Sequence, residues 1–361
     1  MNCCVRCFND AEIIDIIKNQ KTKGDCDFCG SKAVYIFQVD SDSTLSDMFG
    51  ELLDIYTTTS SLPATFPKEN TDLLKNIFHS KWPIFNLEPD RIYRLITSIC
   101  HEKYSDQPEL FDYPIGILES QDKDYLEEFS IIRNCEWKDF VRAIKCVNRF
   151  HTDHMNKNVL DLFIRSVRKH YEAGEVFYRA RVCVDDFGFS KSQMGAPPMQ
   201  LASSGRVNPS GISVLYLADS VKTTLHEIRA GVYDYVTVGS FKLKKNIEVI
   251  DFANLNKISP FIAKNLMGIP YVQHAINTEH LRLISQEIAK PLRRHDSLLD
   301  YLPTQYICDY IKSQGYDGVE YISTMCKDGY NLAAFDEDVF KCTKTVVYDI
   351  KSLSYTYDQI K

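Results

Sequence analysis

The chain has 361 residues, of which 44% are hydrophobic and 25% charged, ordinary values that exclude a mostly disordered chain. A formal net charge of −7 and a pI near 5.8 exclude a global basic field, so sequence-independent nucleic-acid binding would need a local patch, and no strong one is visible. The length allows two domains with sizeable cores.

The N-terminal segment carries Cys4-Val5-Arg6-Cys7, then apolar residues at helical spacing (Ile13, Ile14, Ile16, Ile17), then Cys26-Asp27-Phe28-Cys29-Gly30. Each C-x-x-C pair can place two sulfurs on one metal, and two pairs complete a tetrahedral zinc site. Cys4, Cys7, Cys26 and Cys29 are therefore the expected ligands; Cys3 adjoins them, but the two-residue gap favours Cys4. Four sulfur ligands leave no open position, so the zinc is expected to be structural. Residues 1–43 are read as a Cys4 zinc-binding segment. Twelve cysteines used in this way suit a reducing compartment better than a disulfide framework. No basic segment followed by an apolar run opens the chain, and no stretch has the length of a membrane span; a cytoplasmic protein that makes no membrane contact is expected.

From 44 to 171 the periodicity is helical. Leu45, Met48, Phe49, Leu52, Leu53 and Tyr56 share one face, as do Leu73, Leu74, Ile77 and Phe78, then Phe140, Val141, Ile144, Val147 and Phe150, then Leu160, Leu162, Phe163 and Val167. These are expected core faces, and prolines such as Pro63, Pro67 and Pro108 punctuate the loops. Near 175 the texture changes to β-branched and aromatic runs at 176–182, 214–217, 235–241, 247–250, 318–321 and 346–348, interrupted by helices near 220–231, 276–289 and 303–314. The expected class is α+β: a zinc-binding, mainly α-helical N-terminal part followed by a mixed α/β domain over 172–361.

Three pieces of that second part suggest a site. Gly205-Arg206-Val207-Asn208-Pro209-Ser210-Gly211 is a turn whose residues accept tight backbone and let a ligand approach. It runs into the strand Leu215-Tyr216-Leu217-Ala218 and the helix Thr223 to Arg229, bringing a cation, an aromatic face and the Glu227 carboxylate into one segment. Tyr178-Arg179-Ala180-Arg181 alternates along a strand, placing both arginines on one face, and the arginine fork matches phosphate oxygens. An anionic, ring-bearing substrate suits this set.

Together with Met194-Gly195-Ala196-Pro197-Pro198 and Gly315-Tyr316-Asp317-Gly318-Val319-Glu320-Tyr321-Ile322-Ser323, these segments resemble the RES domain family from about residue 172 onward. Residues 44–171 more loosely resemble the HEPN-like domain fused to some RES domains. The resemblance implies an ADP-ribosyltransferase-like fold and an enzyme that consumes NAD⁺ as phosphorylase, glycohydrolase or protein ADP-ribosyltransferase, commonly a toxin held by a separate antitoxin. It places the catalytic roles on Arg179, Glu227 and Ser323 and substrate binding on Arg179, Arg206, Tyr216 and Asn331. Val207 stands where many members carry an aromatic residue.

The chemistry is compatible: cleaving the nicotinamide–ribose bond creates an oxocarbenium-like centre that a carboxylate stabilises. Glu227 is expected in that role. Arg179 and Arg206 would clamp the pyrophosphate or a phosphate acceptor, Tyr216 would face the nicotinamide, and Ser323 would orient the ribose or amide. A conditional toxin or phage-defence effector is the expected setting; the acceptor, the regulatory partner and a homo-oligomeric state are left open, with a non-catalytic zinc-bearing module and a ribonuclease as alternatives. For the last, Arg165 and His170 form an Arg-x4-His pattern in what reads as a basic helix, with a solvated face as the plainer explanation. His151 and His154, Asp185-Asp186 and Arg293-Arg294-His295-Asp296 are read as surface groups.

Overall fold

The computed structural model describes residues 1–290 and 297–354; the Arg293-Arg294-His295-Asp296 cluster lies outside them. In chain order the elements are β1 (Asn2–Cys4), α1 (Ala11–Asn19), β2 (Lys23–Gly24), β3 (Val34–Gln38), α2 (Thr44–Leu53), β4 (Thr57–Thr58), β5 (Asp72–Leu73), α3 (Leu74–Ser80), α4 (Pro89–Ile99), α5 (His101–Asp106), α6 (Glu109–Asp112), β6 (Pro114–Gly116), α7 (Lys123–Phe129), α8 (Trp137–Cys146) and α9 (Lys157–Ser166). There follow β7 (Arg168–Tyr171), β8 (Val176–Cys183), β9 (Leu215–Ala218), α10 (Val221–Glu227), β10 (Tyr235–Leu243), β11 (Ile247–Asp251), α11 (Pro260–Met267), α12 (Tyr271–Ala289), α13 (Leu302–Ser313), β12 (Gly318–Ile322), β13 (Tyr330–Ala334) and β14 (Phe340–Asp349). No described helix is long and apolar enough to cross a membrane.

The chain divides into two compact units, and neither is one continuous stretch. The first comprises Met1–Trp137, Asp153–Ser166 and Asn256–Arg282; the second comprises Lys138–Thr152, Val167–Leu255 and the described residues from Leu283 on.

The first unit is mainly helical, with two small sheets that the helical periodicity does not reveal: β1-β3-β2 and β4-β6-β5. Their strands are two to five residues long, too short for an alternating pattern to register. Asp10 caps α1 by accepting from the Ile13 amide at 3.2 Å, and Ile13 and Ile17 are the residues of that helix that reach the core. Leu45, Phe49, Leu52 and Leu53 of α2 are fully buried. Phe49 packs on Phe78, Phe85 and Phe261 with ring centroids 5.5 to 6.2 Å apart, each such ring contributing about 1.5–3 kcal/mol by leaving water. Pro89 opens α4 at a position where its missing N–H costs nothing. In α9, Leu160 and Phe163 are buried as expected, whereas Leu162 is exposed.

The second unit is built on an eight-stranded sheet in the order β14-β10-β8-β9-β13-β12-β11-β7. Only the β11–β12 pair is parallel among those described; the rest are antiparallel. One face of the sheet carries Phe177, Leu215, Leu217, Phe241, Val249 and Leu332 in a common core; a second cluster joins Ala180, Val236 and Val238 with Leu225 and Ile228 around α10. β8 and β9 are joined only at Tyr178 and Ala218, so the sheet is weakly closed at its centre. Buried Glu320 of β12 accepts from Lys169 of β7 at 2.8 Å and from the Tyr171 hydroxyl, which pins the edge strand. β7 corrects the expectation of helix up to 171. In α8, Phe140 and Ile144 are buried, but the helix ends at Cys146, and Val147 and Phe150, expected in the core, are exposed.

Candidate active site

The Gly205–Gly211 segment is an irregular turn organised by buried Asn208. Its amide nitrogen lies 2.8 to 3.1 Å from the carbonyls of Ser203, Pro209 and Ile212, and its Oδ1 accepts from the Tyr216 hydroxyl at 2.6 Å. Gly205 has to be glycine, because a Cβ there would sit 2.6 Å from the Tyr216 oxygen. Gln305 of α13 reaches in from a hundred residues away and donates to the carbonyls of Gly205 (2.7 Å) and Asn208 (3.0 Å).

A cavity of about 300 Å³ lies beside the single β8–β9 pair, lined by Arg179, Arg206, Tyr216, Glu227, Tyr301, Tyr321 and Asn331 among others. Arg179 brings a cation to it. Its Nε and Nη1 are buried and have no hydrogen-bond partner among the described residues. Burial, helped by neighbouring Arg181, lowers its pKa to about 10, so the guanidinium is still charged at neutral pH. A buried cation whose donors are unmet among the described residues has the chemistry to receive an anion. Arg181 does not share the cavity: its guanidinium lies over the Phe189 ring and donates to the Gln193 carbonyl.

Glu227 brings a carboxylate. α10 is capped by the Ser220 hydroxyl, which accepts from the Thr223 amide at 3.1 Å, and ends at Glu227; Arg229, two residues on, has φ of +52°. A negative charge at a helix C-terminus faces the unfavourable end of the dipole. Two donors offset this: the Ser323 hydroxyl at 2.6 Å and the Asn331 amide at 2.9 Å, both on Oε1. Ser323 Oγ itself accepts from the amides of Met325 (3.2 Å) and Cys326 (3.1 Å), which leaves its proton directed at Glu227. Both donors are buried, so the carboxylate is held in one orientation.

Arg206 lines the cavity but is engaged. Its Nη1 donates to the carbonyls of Ile288 (3.1 Å) and Ala289 (3.0 Å), and its guanidinium lies 5.1 Å from the centre of the Tyr321 ring. Burial raises the phenol pKa values of Tyr216 and Tyr321, the latter to about 12, so both rings present neutral faces. The structure thus brings Arg179, Arg206, Tyr216, Glu227 and Asn331 to one cavity, with Ser323 bonded to Glu227 behind it. Tyr301, Tyr321 and Gln305 complete the surroundings and were not among the expected site residues. Tyr301 and Gln305 carry no spacing signal, since only the tertiary fold brings them near the turn.

The four expected cysteines also converge. Cys4 and Cys7 sulfurs are 3.9 Å apart, Cys4 and Cys29 3.5 Å, Cys7 and Cys26 3.5 Å, and all four lie within 4.8 Å of one another. A tetrahedral Zn–S bond of about 2.3 Å implies sulfurs about 3.8 Å apart, so the set fits a metal ion. Gly30 turns the second knuckle with φ of +73°. Without a cation, burial pushes the Cys4 thiol up to about 12 and raises that of Cys7; a bound divalent ion reverses that balance. Cys3 is buried beside the cluster but is not part of it.

Arg165 and His170 do not share a helix, as the basic pattern suggested. α9 stops at Ser166, Arg165 pairs with Asp161 at 2.6 Å, and His170 stands on β7 with Nε2 3.4 Å from Glu248. His151 and His154 lie in the irregular segment after α8, and neither belongs to a metal-ligand cluster among the described residues.

The sheet, the turn and the cation–carboxylate cavity define an α+β protein with a polar cavity where β8 and β9 share a single pair. Residues 177–358 match the model of the RES domain, and the chain belongs to the RES domain family. Among solved structures it is similar to a chain in "Crystal structure of the M.tuberculosis MbcT-MbcA toxin-antitoxin complex", with 14% identity, a TM-score of 0.31, and coverage of 52% of this chain and 92% of that one. No curated protein matches the chain.

Proposed function

We propose that this protein is an enzyme that cleaves NAD⁺ at the nicotinamide–ribose bond and acts as a toxin or defence-type effector. The observation that carries the reading is the meeting, in one cavity, of the Arg179 guanidinium, whose buried Nε and Nη1 have no hydrogen-bond partner among the described residues, with a Glu227 carboxylate fixed by Ser323 and Asn331. Membership of the RES family supports NAD⁺ as the substrate. A cavity of about 300 Å³ is at the small end for ligand sites, which suits the reacting end of the dinucleotide with the adenosine outside.

In this mechanism Arg179 meets a phosphate of the substrate and Tyr216 and Tyr321 offer faces to the nicotinamide. The bond between ribose C1′ and the ring nitrogen breaks with its electron pair going to the nitrogen, so nicotinamide leaves neutral and positive charge develops on the ribose. Glu227 faces that charge and stabilises it, a contribution worth about 3–4 kcal/mol for a well-placed group in a dry site. An oxyanion of phosphate, or the oxygen of a water that gives up one proton to bulk solvent, then bonds to C1′. The four cysteines hold a structural Zn²⁺ that staples the N-terminal segment and takes no part in the reaction. In chain order a HEPN-like module over 44–171 precedes the RES domain of 172–361, although the compact units interleave, Lys138–Thr152 and β7 belonging to the second unit and Asn256–Arg282 to the first; restraint of the toxin falls to that module or to a separate antitoxin.

Incubation of the purified protein with NAD⁺, with and without phosphate, tests the reading through the products separated by chromatography and assigned by NMR. Free nicotinamide is expected. A phosphorylated ADP-ribose formed only with phosphate identifies a phosphorylase, ADP-ribose a glycohydrolase, and label retained on macromolecule a protein ADP-ribosyltransferase. Unchanged NAD⁺ together with cleavage of RNA would reject it.

A further inference from the structure

Arg206 borders the proposed substrate cavity, yet its hydrogen bonds go to the protein. Nη1 is shared between the carbonyls of Ile288 and Ala289, the last residues of α12, where carbonyls have no partner within the helix. The planar guanidinium lies over Tyr321, and the backbone carbonyl of Arg206 accepts from the buried Thr304 hydroxyl at 2.7 Å. A cation at a helix C-terminus is favoured by the dipole as well as by the two bonds. Arg179 offers the contrast: two of its nitrogens are buried with no hydrogen-bond partner among the described residues.

We infer that Arg206 is a positioning residue that fastens the last turn of α12 to the cavity wall, and that, of the two arginines lining the cavity among the described residues, Arg179 supplies the cation for the substrate's phosphate. The second half rests on the dinucleotide reading; the first does not. Arginine suits this task because its flat fork covers an aromatic ring with its face while its edge reaches two carbonyls. Loss of the side chain frees the end of α12 and loosens the wall that Tyr321 and Arg206 form together. Loss of the Arg179 charge leaves the wall intact and removes the anion's partner.

Hydrogen exchange measured on the full-length protein reads the first half without any substrate. Arg206→Ala is expected to speed exchange of the amides in 284–290 about tenfold, the loss of bonds worth roughly one decade, and Arg206→Lys, which keeps a donor, is expected to restore protection. If Arg206→Ala does not fold, Arg206→Met keeps an apolar stem over Tyr321 without the donors and takes its place. NAD⁺ affinity, measured by calorimetry in a Glu227→Gln background to prevent turnover, reads the second half. There Arg179→Lys is expected to weaken binding about tenfold or more, and Arg206→Lys less than about threefold. Unchanged exchange at 284–290 in the donor-free variant, or equal loss of affinity in the two lysine variants, overturns the inference. Failure of the unsubstituted Arg179 and Arg206 protein to bind NAD⁺ removes the dinucleotide reading and the Arg179 assignment with it, while the exchange result still decides what Arg206 does.

Discussion

The Ser323 hydroxyl donates to the Glu227 carboxylate at 2.6 Å across 96 residues of sequence, and its oxygen is in turn held by the amides of Met325 and Cys326. A side chain that accepts two backbone hydrogens has one proton left to give, so the serine has a single orientation and fixes the acid. Ser323 is a positioning group for the carboxylate before any substrate arrives.

Replacing Glu227 by Gln keeps the shape and an oxygen for Ser323 but removes the charge. NAD⁺ consumption is expected to fall at least about a hundredfold, equivalent to about 2.7 kcal/mol of barrier, with thermal denaturation little changed. Retention of more than a tenth of the turnover would show that another group carries the chemistry.

Ser323→Ala removes one of the two partners of the carboxylate and deprives the half-buried Met325 and buried Cys326 amides of their acceptor. The cost to stability is expected to be about 1–3 kcal/mol, read as a lower urea midpoint, with activity falling in parallel because Glu227 is free to rotate. Activity and stability both equal to the parent's would place Ser323 outside the site's support.

For the cysteine cluster, elemental analysis of the purified protein is expected to give one zinc per chain. Cys26→Ser should lose it and lower the melting temperature. Because the four sulfurs take every ligand position, a chelator is expected to destabilise the fold rather than inhibit the native enzyme instantly. Metal content independent of Cys26 would remove the site.

His274 sets an acid limit on stability. It is fully buried between Trp82 and Phe163, and burial lowers its pKa from 6.5 to about 4. Above 6.5 the imidazole is neutral in both folded and unfolded chains and contributes no pH dependence. As the pH falls from 6.5 towards 4 the unfolded chain takes up a proton that the folded chain refuses, so stability is lost, by about 3 kcal/mol at full extent. Urea midpoints measured between pH 7 and 4 should therefore fall less steeply for His274→Phe than for the parent. Parallel pH profiles would mean that His274 is protonated in the fold.

The four zinc-type cysteines were readable from spacing alone, because two C-x-x-C knuckles constrain their sulfurs locally wherever the chain between them runs. Strands such as Val176–Cys183 and Tyr235–Leu243 were visible within a residue or two, since each carries enough β-branched and aromatic residues to override its neighbours. Short strands such as Thr57–Thr58 and Pro114–Gly116 were not, because two or three residues hold no period. The run ending at Phe150 misled for the opposite reason: its periodicity continues past Cys146, while the helix itself does not.

What the sequence determined by itself was the set of chemical groups: a glycine-rich turn with Arg206, a strand with Arg179, a helix carrying Glu227, read to about 231 but ending at Glu227 in the structure, and a serine far downstream. Only the tertiary structure decided their duties. Arg179 on a strand and Arg206 in a turn are the same residue type lining one cavity, yet two nitrogens of the first are buried with no partner among the described residues while the second caps the end of α12. That difference arises from which carbonyls lie within about 3 Å of each guanidinium, a consequence of how distant segments pack and therefore of nothing written beside either arginine in the chain.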